Sequence, residues 1–528
     1  MSLLNASRVA CAVLFATCGT IPDAVAETRT VRSGDNLQAV INAAMPGDVI
    51  LLEAGATFRG NFTLPVKGGT AHITIRSAAP DTDLPAAGVR ISPAYASRLP
   101  KLQSPNTAPA IRAAAGAHHW RLLFLELAAN QFGAGEILRI GEGSSEQSQL
   151  SQVPYEVDVD RVYIHGDPVL GQKRGIALNG RSVTIRNSYI SDIKYAAQDA
   201  QAIGGWNGPG PYLIENNYLE ASGENFLLGG ADPSIPNLVA EDIVFRSNHV
   251  TKPLAWRSQG WQVKNLFELK NARRVLIEYN VFENNWQQAQ AGYAILLTPR
   301  NQDGGCPWCV VEAITFQYNI VRNVAGAFNL TGYDWPNVSA QTRQVWIRQN
   351  LFYGVSRSLG GTGWFMLIGD EPRDIIVDHN TIDHDGTTVV YAHGGTATAP
   401  EQMYGFQFTN NAQRHSSYGI NGANVSFGSG VLAAYFPQSL VRGNWLSGGP
   451  ASSYPSGNLF SGAFGDAFVN AAAGDYRLAA GSLLAGAATD GTNIGVDLAA
   501  LQAGTSSVLA GLPLARPTPP ARLRVIVR

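Results

Sequence analysis

The stretch "VLIEYNVFENN", residues 275–285, holds a short pattern: an apolar residue, two others, an asparagine, one residue, and a second apolar residue. Asn280 fills the central slot in "IEYNVF". The same slot is filled by Asn217 in "IENNYL", Asn248 in "FRSNHV", Asn319 in "FQYNIV" and Asn350 in "IRQNLF". It recurs with Asn380 in "VDHNTI", Asn411 in "FTNNAQ" and Asn444 in "VRGNWL". The intervals are 31, 32, 39, 31, 30, 31 and 33 residues. Weaker copies carry Val162 in "VDRVYI" and Ser188 in "IRNSYI", and "GNLF" at Asn458 reads as a shorter last copy. A near-constant period in this range marks a solenoid, in which each repeat stacks on its neighbours.

Two β-like runs precede each asparagine, such as "LFELKN" (266–271) and "RVLIEYN" (274–280). Apolar and polar residues alternate in them as half-buried strands require, and no helical period intervenes. Short strands joined by turns and stacked coil on coil make a parallel β-helix. The asparagine has a structural reading. At a corner the backbone loses its ladder partners, and a short amide with donors and an acceptor can bond both the turn and the amide of the next coil.

The 528 residues carry a formal net charge of −2. Near-neutrality argues against nucleic acid or an anionic membrane surface as partner. Lysine is rare: Lys67, Lys101, Lys173, Lys194, Lys252, Lys264 and Lys270 are all of them. Residues 1–26, with Arg8, an apolar run over 9–18 and "AVA" before Glu27, read as a secretory signal, which implies a secreted or periplasmic protein. No later run is long and apolar enough to span a membrane. Cys306 and Cys309, in "CPWC", remain after the leader. In a secreted protein such a pair reads as a loop-stapling disulfide; a redox pair or half a zinc site are the alternatives.

The expected organisation is a signal peptide (1–26), an N-terminal cap with the first coil (27–66), the β-helix (67–465), a C-terminal cap (466–503) and a Pro/Arg-rich tail (504–528). The first cap includes a short helix with Leu37, Val40 and Ile41 inward and Ser33 or Asp35 as N-cap. The "DNLQAVINAAMPGDVILLEAG" opening, the asparagine ladder and the "GDYRL…GS…G…D…IG" ending resemble the right-handed parallel β-helix proteins of the pectate-lyase-like superfamily, over residues 30–498. That resemblance implies the fold; the fold alone does not imply a chemistry.

Counting back from the ladder places Asp232, Lys270, Arg300, Asp334 and Asp370 along one edge of successive coils, ~4.8 Å apart per coil. A lysine and an arginine on adjacent coils suit β-elimination from a uronic acid. A lysine of lowered pKa removes the proton beside the carboxylate, a cation neutralises that carboxylate, and a second donor protonates the leaving oxygen. Residues 265–300 resemble the alginate and chondroitin B lyase group of this fold. Carried over, Lys270 is the base and Arg300 the acid. That group sets metal-binding acids upstream of the lysine, where this chain has Val263 and Asn265; Glu268 is the one nearby acid that could hold calcium. The rival chemistry is glycoside hydrolysis by Asp334 and Asp370, with Asp232 across the row. Trp256, Trp261, Trp286, Trp308 and Trp335 in the turns, with Tyr293, are the candidates for stacking on sugar rings. "GENFLLGGADPSIPN" (223–237) has a Gly-rich strand end that would let a ligand approach closely. The expected partner is a polysaccharide and the expected state a monomer. A non-catalytic carbohydrate-binding protein would keep the aromatics without needing the Lys/Arg pair.

Overall fold

The computed structural model describes residues 26–396 and 398–513. The signal expected over 1–26 and the last part of the tail lie outside the described residues, save Ala26.

Three long sheets of 14, 13 and 12 strands extend from Thr28 to Ser447, and every neighbouring pair within them is parallel. The architecture is the right-handed parallel β-helix that the repeat predicts. Each coil contributes one strand to each sheet. In one coil these are Ala272–Glu278, Val281–Asn285 and Tyr293–Leu297. The third strand per coil was not expected. The asparagine corner is so tight that the next strand begins one residue later, and its residues read as the flank of the motif.

The ladder is continuous. Each amide oxygen accepts both the backbone N–H and the side-chain amide of the previous coil's asparagine: Asn280 Oδ1 from Asn248, at 2.8 and 3.1 Å, and Asn319 Oδ1 from Asn280, at 2.9 Å each. The same bond links Asn217 to Asn248 and continues through Asn350, Asn380, Asn411 and Asn444 to Asn458. At the weak end Ser188 N–H donates to Asn217 Oδ1, and Val162 N–H to Ser188 Oγ. Asn217 through Asn444 are wholly buried. The residue before each corner is left-handed, as at Tyr279, Tyr318, Gln349 and His379 (φ 51–56°). This conformation turns the chain while the ladder amide satisfies the freed groups.

Inside, one apolar core runs along the axis, with Phe226, Phe245, Phe267, Phe282, Phe316 and Phe328 packed ring against ring. The N-terminal helix, Leu37–Ala43, buries Leu37 and Ile41, with Val40 packed on the core. Its cap is Asn36, whose side chain accepts from Ala39 N–H; Asp35 instead accepts from Arg32 N–H. Cys306 and Cys309 are joined by a disulfide.

The C-terminal segment does not break away at residue 503. Helix Leu498–Thr505 crosses that expected boundary, and Gly504 lies so close to the Tyr279 ring that no Cβ would fit. The chain then reaches Arg90, which donates to Asn216 O and Val508 O at 2.9 Å each and through its backbone N–H to Gly511 O at 2.7 Å. The tail expected from 504 onward is therefore, up to 511, a strap across the row of corners. Among the described residues no helix is long and apolar enough to cross a membrane.

Candidate functional site

The third sheet carries the site. Its strand Asn265–Leu269 pairs with Glu224–Leu228 on one side and Tyr293–Leu297 on the other. Lys270 leaves the end of the first of these strands. Its backbone N–H donates to Leu228 O, and its carbonyl accepts from Arg300 N–H at 3.0 Å. Gly229 and Gly230 lie alongside at φ 93° and 94°, and a Cβ on Gly229 would stand 2.9 Å from Lys270 Cβ. The small residues of the 223–237 stretch thus make room for the lysine itself.

Lys270, Arg300, Asp334 and Asp370 line one cleft of about 520 Å³ with Tyr293, Thr298, Tyr333 and Trp335. A second depression of about 590 Å³ continues from it, sharing Lys270, Gln290 and Arg300, and runs on to Glu268, Lys264, Glu224, Asp199 and Trp206. Both volumes fall in the range of ligand sites.

Lys270 Nζ lies 2.7 Å from Glu268 Oε1, an ionic contact without aligned hydrogen-bond geometry, and 3.3 Å from Thr298 Oγ1. Glu268 is buried, and its other oxygen accepts from Asn265 Nδ2 at 2.8 Å. Arg300 pairs with Asp334 at 3.1 Å. Asp334 is otherwise spent on backbone amides: Asn301 N–H of the preceding coil's loop and Trp335 N–H of its own donate to its two oxygens. Asp370 sits at φ 59°. Burial raises its carboxyl pKa, His393 opposes the shift, and the Asp334 charge adds to it.

Five expected site residues, Asp232, Trp256, Trp261, Trp286 and Trp308, lie outside this cleft. Asp232 does not line the Lys270–Asp370 cleft; its carboxylate accepts from Asp303 N–H and Gly305 N–H and pins the loop that carries the disulfide. Trp256 and Trp286 are buried with Val263 in a small core of their own. Long inter-strand loops need such a core, and this requirement claims both rings. Trp261 flanks that core, and Lys194 Nζ stands over Trp256 and Trp261 at 5.3 and 5.2 Å. Half-buried Trp308 donates its indole N–H to Leu238 O. Tyr293 lines the cleft but is buried, its hydroxyl 3.2 Å from Thr362 Oγ1. Of the five tryptophans, only Trp335 both lines the Lys270–Asp370 cleft and is 60% exposed.

Residues not singled out from sequence complete the floor. Arg174, Gln201, Glu224 and Asn265 stand in one register across four coils. Arg174 Nε donates to Gln201 Oε1, and Gln201 Nε2 to Glu224 Oε2, both at 2.9 Å. Lys264 Nζ lies 3.4 Å from Glu224 Oε1 and pairs with Asp199. Burial, then the Glu268 charge, pushes the Glu224 carboxyl up to about 7. The one sequence signal was the rarity of lysine: three of the seven, Lys173, Lys264 and Lys270, line this single depression.

Calcium would need several oxygens at 2.3–2.6 Å around one point. The carboxylates here are met by ammonium groups instead: Glu268 by Lys270, and Glu224 and Asp199 by Lys264. Among the described residues no three His, Cys, Asp or Glu side chains are grouped to hold a metal ion. The residues present do not fit a divalent ion at Glu268.

Fold and site together define a parallel β-helix with a charged cleft on one flank. No family model and no curated protein matches the chain. Among solved structures it is similar to the catalytic unit of a thermostable GH87 α-1,3-glucanase from Streptomyces thermodiastaticus strain HF3-3, at 14% identity over 82% of this chain and 69% of that one, TM-score 0.47. It is also similar to a mutant of the PL6 family alginate lyase AlyGC, at 14% identity over 82% of this chain and TM-score 0.44. The chain spans about half (51%) of the length of that lyase. A mannuronic acid specific family 6 lyase from human gut microbiota matches at 13% identity over 83% and 82% of the two chains, TM-score 0.41. These likenesses concern backbone shape and carry no chemistry to this chain.

Proposed function

We propose that this chain is a secreted polysaccharide lyase that cleaves a uronic-acid-containing polymer by β-elimination. The observation that carries the reading is that Lys270 and Arg300 follow paired strands of adjacent coils and line the wall of one cleft. Lys270 as the free amine takes the proton from the ring carbon beside the carboxylate. The electrons of that C–H bond form the ring double bond, and the neighbouring C–O bond breaks. The leaving oxygen takes a proton from a donor on the Arg300 side. Glu268 Oε1, 2.7 Å from Lys270 Nζ, is the acceptor in reach when the amine must shed a proton. Cationic side chains around the cleft attract the acidic polymer. Trp335 offers its exposed face to a sugar ring.

One observation favours a second reading, glycoside hydrolysis: burial raises the Asp370 carboxyl, as a general acid requires. Its expected partner, Asp334, is bound by two backbone amides and Arg300, which leaves it poorly placed as nucleophile or base. Incubation of the purified protein with a panel of uronate polysaccharides tests the proposal. Ultraviolet absorbance from an unsaturated uronate end supports elimination. New reducing ends without that absorbance mean hydrolysis, and neither product means binding alone.

A further inference from the structure

Three carboxylates, Asp199, Glu224 and Glu268, line the depression beside Lys270. Glu224 and Glu268 are 2% and 1% exposed. Buried charges of one sign are strongly unfavourable unless cations meet them. They would also repel an acidic sugar from the cleft.

Lys264 meets two of the three. It precedes the strand that leads to Lys270, yet its Nζ reaches back to Glu224, one coil earlier, and to Asp199, in the loop before the strand Gln201–Gly205. Its side chain is 18% exposed and lines the depression, so its charge faces whatever enters. Ion pairing outweighs burial and raises the Lys264 pKa, keeping the ammonium charged. Glu224 is held on its other side by Gln201, which Arg174 holds in turn. Lysine is scarce in this chain, and Lys264 stands where a bridging cation is needed.

We infer that Lys264 is the resident cation of the cleft: its tethered ammonium takes the place of a divalent ion, balancing Asp199 and Glu224 so that an acidic sugar enters without metal. This goes beyond the elimination reading. It concerns charge balance and holds whichever reaction the cleft runs.

The test is calcium chloride alone, added to the purified full chain, with thermal unfolding and titration calorimetry as readouts. The wild type is expected to unfold at the same temperature in chelator and in excess calcium, with no heat of binding. Lys264→Met leaves Asp199 and Glu224 without their shared ammonium. Calcium at about a hundredfold its Kd should then raise the Tm by roughly 2 °C or more, and chelator should abolish the rise. Adding Glu224→Gln to Lys264→Met should remove the calcium response. A calcium-dependent Tm or binding heat in the wild type overturns the inference, as does a Lys264→Met protein indifferent to calcium. The wild-type titration decides even if the variant fails to fold. None of these readouts needs turnover, so failure here and failure of the lyase assignment are distinguishable.

Discussion

Arg300 donates its backbone N–H to the carbonyl of Lys270 at 3.0 Å. That single bond joins the ends of neighbouring coils and brings two cationic side chains to one cleft. If Lys270 is the elimination base, Lys270→Met should lower turnover by at least about 10²–10⁴-fold while substrate still binds. Arg300→Lys should also be severe, because an ammonium does not reproduce a planar fork. Asp370→Asn should be mild under elimination and fatal under hydrolysis. Steady-state rates of the three variants separate the two reactions; full activity in Lys270→Met would falsify the lyase assignment.

The ladder predicts a stability effect without a specificity effect. Asn280→Leu leaves Asn248 without its acceptor and strips Phe245 O and the Asn319 amide oxygen of a donor. Each buried polar group left unpaired costs about 1–3 kcal/mol. Thermal unfolding should show a clear loss, with the substrate panel unchanged. An unaltered Tm would mean that the corner does not need its amide.

Glu224 predicts a pH dependence. Its folded pKa is raised from 4.5 to about 7, chiefly by burial. The contribution to stability is therefore full below 4.5 and is lost as pH rises through about 7. Glu224→Gln should gain stability relative to wild type across that window and hold a constant gain above it. A Tm difference that is flat from acid to neutral pH would contradict the assignment.

Lys252 is fully buried. Its ammonium donates to Ala221 O, Gly223 O and Asn225 Oδ1 at 2.8 Å each, and to Asn265 O at 2.9 Å. It therefore ties together the backbone beneath Glu224 and Asn265. Lys252→Met should destabilise by at least about 1–3 kcal/mol, since several acceptors lose their donor inside the coil. Chemical denaturation measures this, and a neutral result would show that water replaces the ammonium.

Although the coils before Val162 carry no copy of the motif, the corners from Val162 to Asn458 and the inward face of the first helix were legible from residues alone. These depend on short-range periodicity: a corner needs an amide wherever it falls, so Asn217 to Asn458 mark the coils whatever the loops between them do. Lys270 was also legible, ten residues before Asn280 as Asp370 is before Asn380, whereas Arg300 lies nineteen before Asn319, ahead of a longer turn. What each polar residue does was settled only in three dimensions. Asp232 and Asp334 look like catalytic acids in the row, but backbone amides from the loops occupy them. Trp256 and Trp286 look like sugar platforms, but their loops bury them to make a core. The Asp199–Lys264–Glu224 cluster draws on three coils, and its members share no spacing to any ladder residue. Stacking fixes where a strand lies, whereas the loops choose partners through contacts far apart in sequence, and local pattern holds no record of those.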